Sequence, residues 1–492
     1  MSATDHKMDV DEDPELQQQE EEEEESMINP DEGDEIIPED QDAPMDSDDE
    51  ADGGPIEEIQ LQNDSSAHFD GHSDSIFCIA QHPIHTEIVA TGGGDNVAYI
   101  FDCTPSSIPT PAQTEREGIQ PIFKIEGHPE SVNAITFTKP AGEYLLTAGI
   151  NGELRAYRDT SNGQGRTWAF VAEAREVEEI NFLIPCPNPQ HPNVVALGAK
   201  DGSVWVYTVD ASDAGSPLTI IQTFYLHTDS ATAGAWTPDG KLLCTVSEES
   251  SLYVWDVFGD AAAAGLSNQS GQALVGLTAE DQRFAAEGGL YSVAVAPNGT
   301  FVAVGGADGS IKIVGLPRIG ADSAPANGAG QRGGRQAGAR QAGGRQAGGR
   351  PAATSAGQAG QILASLQAQD ESIETIAFAA APATMMAAGS VDGYITLFDT
   401  AHNFTVRRKL EEAHEGEAVI KVEFVHAPRM GHLLTSCGND GVIRRWDVRG
   451  GTAAANGGLL GEWRGHRGGG EGGGILGFVQ GGGTRVITAG DE

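Results

Sequence analysis

Short apolar runs separated by turn residues recur along this chain about eight times, in a fixed order. A Gly-His or a lone His comes first and is followed by a short apolar strand. A second apolar strand ends in a tight Asp-Gly-type turn, and a third ends in an aromatic residue, often followed by Asp. The order is clearest at His414, Asp440-Gly441 and Trp446-Asp447. It repeats at Gly71-His72, Asp95 and Phe101-Asp102, and at His227, Glu249 and Trp255-Asp256. The turn residue stands six positions before the closing apolar residue at Asp95/Phe101, Asn151/Tyr157, Asp201/Tyr207, Glu249/Trp255, Asp308/Val314, Asp392/Phe398 and Asp440/Trp446. The flanking runs Ser203-Val204-Trp205-Val206-Tyr207 and Gly393-Tyr394-Ile395-Thr396-Leu397-Phe398 alternate as half-buried antiparallel strands do. One such unit cannot bury its own faces, so the units must stack, and the predicted fold is an all-β propeller.

These units resemble the WD-repeat family over roughly residues 56–492, with Trp-Asp intact only at Trp255-Asp256 and Trp446-Asp447. The resemblance implies a hydrogen-bonded network within each blade, joining the His to the turn Asp, a Ser/Thr and the Trp. His72, Asp95, His227, Trp255, His414, Asp440 and Trp446 are assigned this structural role. An eighth unit starts at Gly465-His466, runs through Ile475-Leu476-Gly477-Phe478 and Arg485-Val486-Ile487-Thr488-Ala489-Gly490, and stops before a third strand. An open sheet edge is a pairing hazard. The apolar spacing of Ile56-Glu57-Glu58-Ile59-Gln60-Leu61 suits the missing strand, and Ala67-His68-Phe69 suits the outer one. Eight blades are therefore expected, the last closed by an N-terminal strand. Seven is the alternative if the third unit, which lacks a Gly-His, is irregular.

Charge divides the chain. The formal net charge is -44, and residues 1–55 carry 24 Asp or Glu against one Lys, including the run Glu20 to Glu25. Such a segment buries too little apolar area to offset its ordering entropy and is expected to be a disordered tail. The other 437 residues still hold 49 acids against 28 bases, so the propeller at 56–492 is itself acidic. Direct nucleic-acid binding by the propeller is disfavoured, and a cationic partner is the complement. The Gly/Arg/Gln/Ala-rich stretch at about 317–360, with Arg332, Arg335, Arg340, Arg345 and Arg350, is read as a flexible insertion between the fifth and sixth units. No apolar run reaches the ~20 residues of a membrane span, and the acidic N-terminus is unlike a secretory signal. Five scattered cysteines without a CxxC pair point to reduced thiols in a cytoplasmic or nuclear protein.

No catalytic constellation emerges. His72, His128, His227, His414 and His466 all fall at one point of the repeat, and Cys and His lack zinc spacing. Gly92-Gly93-Gly94-Asp95 is a turn after a strand, without the Lys-Ser/Thr or helix of a phosphate loop. No enzyme, cofactor or metal is expected.

Propellers bind through the loops that lead from the outer strand of one blade to the inner strand of the next, at the top face. The position seven residues before the inner-strand residue Phe137 is Glu130. Its counterparts are Asp74 before Gln81, Asp229 before Trp236, Glu371 before Phe378, Glu417 before Phe424 and Glu471 before Phe478. Glu176, Glu178 and Glu179 lie close by in the third unit, Glu287 in the fifth and Glu374 in the sixth. Asp at this point can simply cap the loop by accepting backbone amides. That does not account for the longer Glu at four positions, nor for Glu178, Glu179 and Glu374. Carboxylates converging around a ring would attract a Lys/Arg-rich peptide. The candidate client-binding set is therefore Asp74, Glu130, Glu178, Glu179, Asp229, Glu371, Glu374, Glu417 and Glu471. Phe77 and Trp236 are candidates for cation–π contacts, with Trp236 favoured as core.

The acidic leader and the first-blade runs Gly-His-Ser-Asp-Ser-Ile-Phe-Cys-Ile-Ala (71–80) and Val-Ala-Thr-Gly-Gly-Gly-Asp-Asn-Val-Ala-Tyr-Ile-Phe-Asp (89–102), with Gly-His-Pro-Glu-Ser-Val-Asn-Ala-Ile (127–135), are similar to one group of propellers. That group comprises the angio-associated migratory cell protein and its fungal ribosome-assembly counterpart. The resemblance implies a dedicated chaperone. It would capture the basic N-terminus of a newly made large-subunit ribosomal protein on an acidic top face and deliver it for ribosome assembly. A monomer is expected, in contact with ribosomes or pre-ribosomes indirectly. Two other readings remain at this stage. A scaffold in a ubiquitin-ligase or signalling assembly would bind a non-basic motif with little salt dependence. A histone chaperone differs from the first reading only in its client.

Overall fold

The computed structural model describes residues 62–106, 116–319, 358–450, 455–466 and 473–491. The acidic leader, the strand expected at 56–61, most of the Arg-rich insertion and Glu471 lie outside these residues. The described residues form an all-β propeller with seven four-stranded antiparallel blades. The inner strands of the blades are Ile76–Gln81, Val132–Phe137, Ile180–Pro185, Ala231–Trp236, Leu290–Val295, Ile373–Phe378 and Val419–Phe424. The third unit, despite lacking a Gly-His, makes a complete blade. A two-stranded sheet, Ile475–Val479 with Ile487–Gly490, occupies the sector between the seventh blade and the first.

The core is a series of separate apolar layers, one between each pair of neighbouring sheets. Two of them hold the two-stranded sheet: Ile475 and Phe478 pack with Cys437 and Ile443 on one side, while Val479 and Ile487 pack with Val89, Tyr99 and Phe101 on the other. Neighbouring blades cover both faces of a second strand, so Ile88–Gly93, Val194–Ala199 and Leu242–Ser247 are buried along their whole length. For the same reason the third strands alternate less than their sequences suggest. In Val204–Val209 only Trp205 and Thr208 are half-exposed, whereas clean alternation appears on the outer strand Ile362–Gln367. The closing residues Phe101, Tyr157, Tyr207, Trp255, Val314, Phe398 and Trp446 all lie on third strands and are buried.

The expected outer strand at Ala67-His68-Phe69 takes a different partner. Ala67–His68 pairs in parallel with Glu117–Gly118, and Phe69 stacks on Phe101 with ring centroids 4.4 Å apart. Burying an aromatic ring between sheets outweighs a two-residue ladder as the organising contact of this segment.

The turns explain the fixed spacing. Asp95, Asn151, Asp201, Asp308, Asp392 and Asp440 each accept the backbone amide two residues on, at 2.9–3.3 Å. The residue between them has φ of 63–82°, which Gly supplies in five of these six turns and Asn96 in the other. An Asp-Gly pair is thus the cheapest way to turn the chain between second and third strands.

Candidate functional site

Two repeated backbone features build the top face. The amide preceding each turn residue donates to the carbonyl just before an inner strand: Gly94 to Ser75, Ile150 to Ser131, Lys200 to Glu179, Glu248 to Ser230, Ala307 to Gly289, Val391 to Ser372, Asn439 to Ala418 and Asp491 to Gly474, at 2.8–3.2 Å. These clasps tie each turn to the loop entering the same sheet. In addition, all eight inner strands, the one at Ile475–Val479 included, carry a β-bulge at their second residue. The bulged residues are Phe77, Asn133, Asn181, Thr232, Tyr291, Glu374, Ile420 and Leu476. A bulge releases its residue from the ladder and re-aims the side chain.

This register places the predicted carboxylates. Two residues before the inner strand stand Asp74, Glu130, Glu178, Asp229, Glu371 and Glu417, with glycine at Gly288 and Gly473. Glu178 is therefore the third blade's member of the ring, and Gly473 stands at the position assigned to Glu471 in the count from Phe478. The bulge register pairs Ile475 with Gly490 and Gly477 with Ala489, so Gln480, not Phe478, is the counterpart of Phe137. Gln480 is polar, so counting back from the nearby apolar residue Phe478 slipped by two. Glu471 itself lies outside the described residues.

The aspartates and glutamates behave differently. Asp74 and Asp229 accept the amides of Ser75 and Ser230 at 2.8 and 2.7 Å, which is the capping role. Glu130, Glu178, Glu371 and Glu417 receive no hydrogen bond from another side chain or amide among the described residues, and all but the half-buried Glu417 are exposed. Glu179 pairs with Lys200 at 2.8 Å, and Glu374 accepts the Ser372 hydroxyl at 2.7 Å. The hydrogen bond that Lys200 donates to Glu179, with Glu248 and Glu178 beyond it, holds the Lys200 ammonium above the usual lysine range. Burial raises the Tyr291 hydroxyl, and Glu248, Glu374 and Asp229 raise it further. Carboxylates from the third, fourth and sixth blades thus act on common groups. Glu248 and Asp491 are members that the sequence pattern missed; Asp491 takes a short hydrogen bond from the Ser75 hydroxyl. The doubled acid Glu248-Glu249 at a turn was the available signal.

Phe77 is 43% exposed at this face. Trp236 is not part of it: it ends its strand at the opposite end, buried and stacked with Phe258 at 6.0 Å. A cleft of about 670 Å³, lined by Glu143, Tyr144, His191 and Phe258, also opens at that opposite end.

The repeat histidines sit inside blades. His414 Nδ1 lies 2.8 Å from Asp440 and Nε2 lies 2.8 Å from the Ser436 hydroxyl, which accepts the Trp446 N–H at 2.9 Å. His227 follows a longer path: Trp255 donates to Thr245, Thr245 meets Nε2, and Nδ1 meets Ser251, which donates to Glu249. The Ser251 hydroxyl bridges His227 to Glu249, which stands where five other turns have Asp and one has Asn. His72 bonds Asp95 and Thr91 at 3.0 Å. Burial pushes the thiols of Cys186, Cys244 and Cys437 up to about 11, 12 and 12, unsuited to nucleophilic work. Among the described residues no three His, Cys, Asp or Glu side chains gather as metal ligands.

The family model for the WD domain, G-beta repeat, matches residues 63–102, 218–256 and 282–314. The ribosome assembly protein SQT1 of Saccharomyces cerevisiae is 31% identical over 228 residues, 45% of this chain and 47% of that protein; the aligned stretch spans about half of the yeast protein. The human angio-associated migratory cell protein is 23% identical over 414 residues, 84% of this chain and 76% of its own. Sqt1 from Chaetomium thermophilum, whose crystal structure was solved bound to the N-terminus of ribosomal protein L10, superposes with a TM-score of 0.73. It is 49% identical, covering 87% of this chain and 98% of that one. With that identity over nearly the whole of both chains, this protein belongs to the Sqt1 family of WD-repeat propellers.

Proposed function

We propose that this protein is a binding protein, not an enzyme: an escort that captures the basic N-terminal segment of a newly made large-subunit ribosomal protein and delivers it for ribosome assembly. The observation that carries this is the complex of Chaetomium Sqt1 with the N-terminus of ribosomal protein L10, a protein sharing 49% of its residues with this chain. The top face suits the task. Glu130, Glu178 and Glu371 are exposed and not tied up as caps, and Asp74, Glu179, Asp229, Glu374 and Glu417 thicken the negative field around them. Capture by such a field is reversible, fast and weakened by salt. The test is purification of the tagged protein from cells at low and moderate salt. One dominant basic ribosomal protein, lost as salt rises, is expected. Charge reversals E130K and E374K, both in exposed loop or strand-edge positions, should each lower its recovery about tenfold, as loss of a charge-assisted contact predicts. A salt-resistant set of other partners, or undiminished recovery in both variants, would overturn the proposal.

We further propose that the ring closes as eight blades, with residues 56–61 as the third strand of the sheet at 475–490. Three features support this. The strand Ile487–Gly490 has a ladder partner on one side only among the described residues. The chain at residues 63–65 runs beside the entry to that sheet, where the Asp64 amide donates to the Arg464 carbonyl at 2.7 Å. Residues 56–61 have strand-like apolar spacing.

A further inference from the structure

We propose that the cleft at the end of the third blade opposite the top face docks a segment of this same chain, the Arg-rich insertion at residues 320–357. The site takes an arginine side chain flanked by small residues, and its occupant comes from the fifth blade.

The cleft, of about 670 Å³, is built from four segments at that end of the ring. The turn before the second strand of blade two supplies Glu143, and the corresponding turn of blade three supplies His191 and Asn193. The connection after Val209 supplies Asp210, and the connection after Asp256 supplies Val257 and Phe258. Its walls are apolar and aromatic: Tyr144, Val209 and Val257 are buried, and the His191 ring stacks on Phe258 at 3.7 Å. Its rim is acidic. Asp210 is exposed; its Oδ1 accepts the amide and the hydroxyl of Ser212 at 2.8 and 2.6 Å, while Oδ2 accepts no hydrogen bond among the described residues. The Ser212 bonds, with Arg158 beyond them, hold the Asp210 carboxyl below the usual carboxylate range, so it is charged. Glu143 is partly exposed, accepts the Asn193 side-chain amide at 3.1 Å and lies 3.4 Å from Arg158. An arginine laid here buries its stem against the apolar walls and brings its guanidinium to Asp210.

The insertion's place in the chain selects it as the occupant. It joins the third strand Ser310–Gly315 to the outer strand Ile362–Gln367, as the cleft-forming segments after Val209 and Asp256 do in the third and fourth blades. It therefore departs from the cleft's end of the ring. Leu316 and Ile319, which lead into it, pack in the layer between the fourth and fifth sheets. Val257 and Phe258 belong to the layer on the other side of the fourth sheet. Crossing that sheet is a matter of roughly 10–20 Å. Arg332 stands thirteen residues after Ile319, and a chain of that length spans up to ~45 Å.

Charge and repetition agree with this placement. Residues 320–357 carry Arg332, Arg335, Arg340, Arg345 and Arg350 against one acid, Asp322. Arg-Gln-Ala-Gly occurs three times, at 335–338, 340–343 and 345–348, so the same group is offered to the cleft in three registers. Tethering keeps its local concentration high, so a weak contact suffices. Docked there, the insertion is held at the end of the ring away from the acidic top face, where its arginines would compete with a basic client. That consequence, unlike the docking itself, rests on the capture reading above.

The test puts the photo-crosslinker benzoylphenylalanine into the full chain at one of two positions. Ile221 lines the cleft and is 36% exposed, whereas Val406 is 53% exposed on the outer strand of the sixth blade. After irradiation of dilute protein, peptide mapping should join Ile221→benzoylphenylalanine to residues 320–357 of its own molecule. The yield should be about tenfold higher than from Val406→benzoylphenylalanine, as a charge-assisted contact predicts. E143Q and D210N together keep acceptor oxygens for Asn193 and Ser212, so the double variant should melt as the wild type does. It should lose about tenfold of the crosslink. No crosslink to 320–357 from position 221, equal yields from both probes, linkage only between molecules, or an unchanged yield in the double variant would each overturn the docking. By fluorescence anisotropy, the double variant should also bind the N-terminal peptide of an L10-type ribosomal protein more weakly than the wild type. Replacing 320–357 by a short Gly-Ser linker should restore that affinity. Equal affinities in wild type and double variant would remove the competition and leave docking and capture standing, whereas no peptide binding by the wild type would overturn capture alone.

Discussion

At the scale of single residues, the blades differ in how completely their buried histidines are satisfied. His72 and His414 each face a turn Asp, but the second blade has Asn151 there. Asn151 Oδ1 is used by the Glu153 amide, and His128 Nδ1 is buried without a hydrogen-bond partner. N151D would supply the acceptor that the first and seventh blades have. It should stabilise the protein by about 1 kcal/mol, read as a rise in melting temperature at pH 7. The same burial gives a pH dependence with a definite sign. It pushes His128 and His227 down to about 4. Glu249 lies 3.6 Å from His227, but its oxygens accept from the Ser251 and Thr228 hydroxyls, so burial dominates. Both rings are neutral in the fold, whereas unfolded His takes a proton below ~6.5. Their contribution is complete above that pH and is lost as pH falls from about 6.5 to about 4, by about 2–3 kcal/mol each. The sixth blade already uses Gln369 at this point, bonded to the Ser390 hydroxyl at 2.8 Å. H227Q should therefore fold and show a shallower fall in melting temperature between pH 6.5 and 4.5; an unchanged slope would remove His227 from the account.

At the scale of elements, the turn and the bulge do most of the positioning. The third-blade turn illustrates how tightly a turn is seated. Gly202 has φ of 80°, and a Cβ there would lie 2.6 Å from the Asp229 carbonyl and 2.8 Å from that of His227. The turn is wedged beneath the loop that carries Asp229 into the fourth blade. G202A combines backbone strain with a clash against backbone that cannot retreat. It should destabilise the protein by about 2–4 kcal/mol and lower peptide affinity through displacement of Asp229. Thermal melts and anisotropy on one preparation would read both. The bulge acts in the opposite way, by freeing a side chain: where it bears Asn or Thr, that side chain locks neighbouring blades.

At the scale of the whole molecule, closure and charge are the decisive properties. If residues 56–61 complete the last sheet, their deletion should lower the melting temperature by several degrees and broaden the transition, because a ring with one open sector loses cooperativity. Deletion of residues 1–50 should leave the transition in place. Equal melting of both deletion variants and the full chain would refute closure by the N-terminal strand. The charge is a property of the ring as a whole: 49 acids against 28 bases outside the leader bias the molecule toward cationic partners before any contact forms.

The spacing of Asp-Gly turns and apolar strands was enough to determine the all-β propeller, because a turn needing φ above zero and a side-chain acceptor leaves few residue choices. It also determined that acids gather at the loops before the inner strands. Tertiary structure decided which acids act together. Glu248 and Asp491 join the face through backbone clasps between a turn and a loop roughly 17 or 18 residues away in the chain, contacts that no local pattern encodes. Glu471 was misassigned because the eighth inner strand leads into the polar Gln480 at the position of Phe137, so the count began two residues early, at Phe478. The role of the bulged residues Asn133, Asn181 and Thr232 as blade locks is likewise invisible in one dimension. It depends on which side chain meets the next blade's carbonyl, and that is fixed only when the ring assembles.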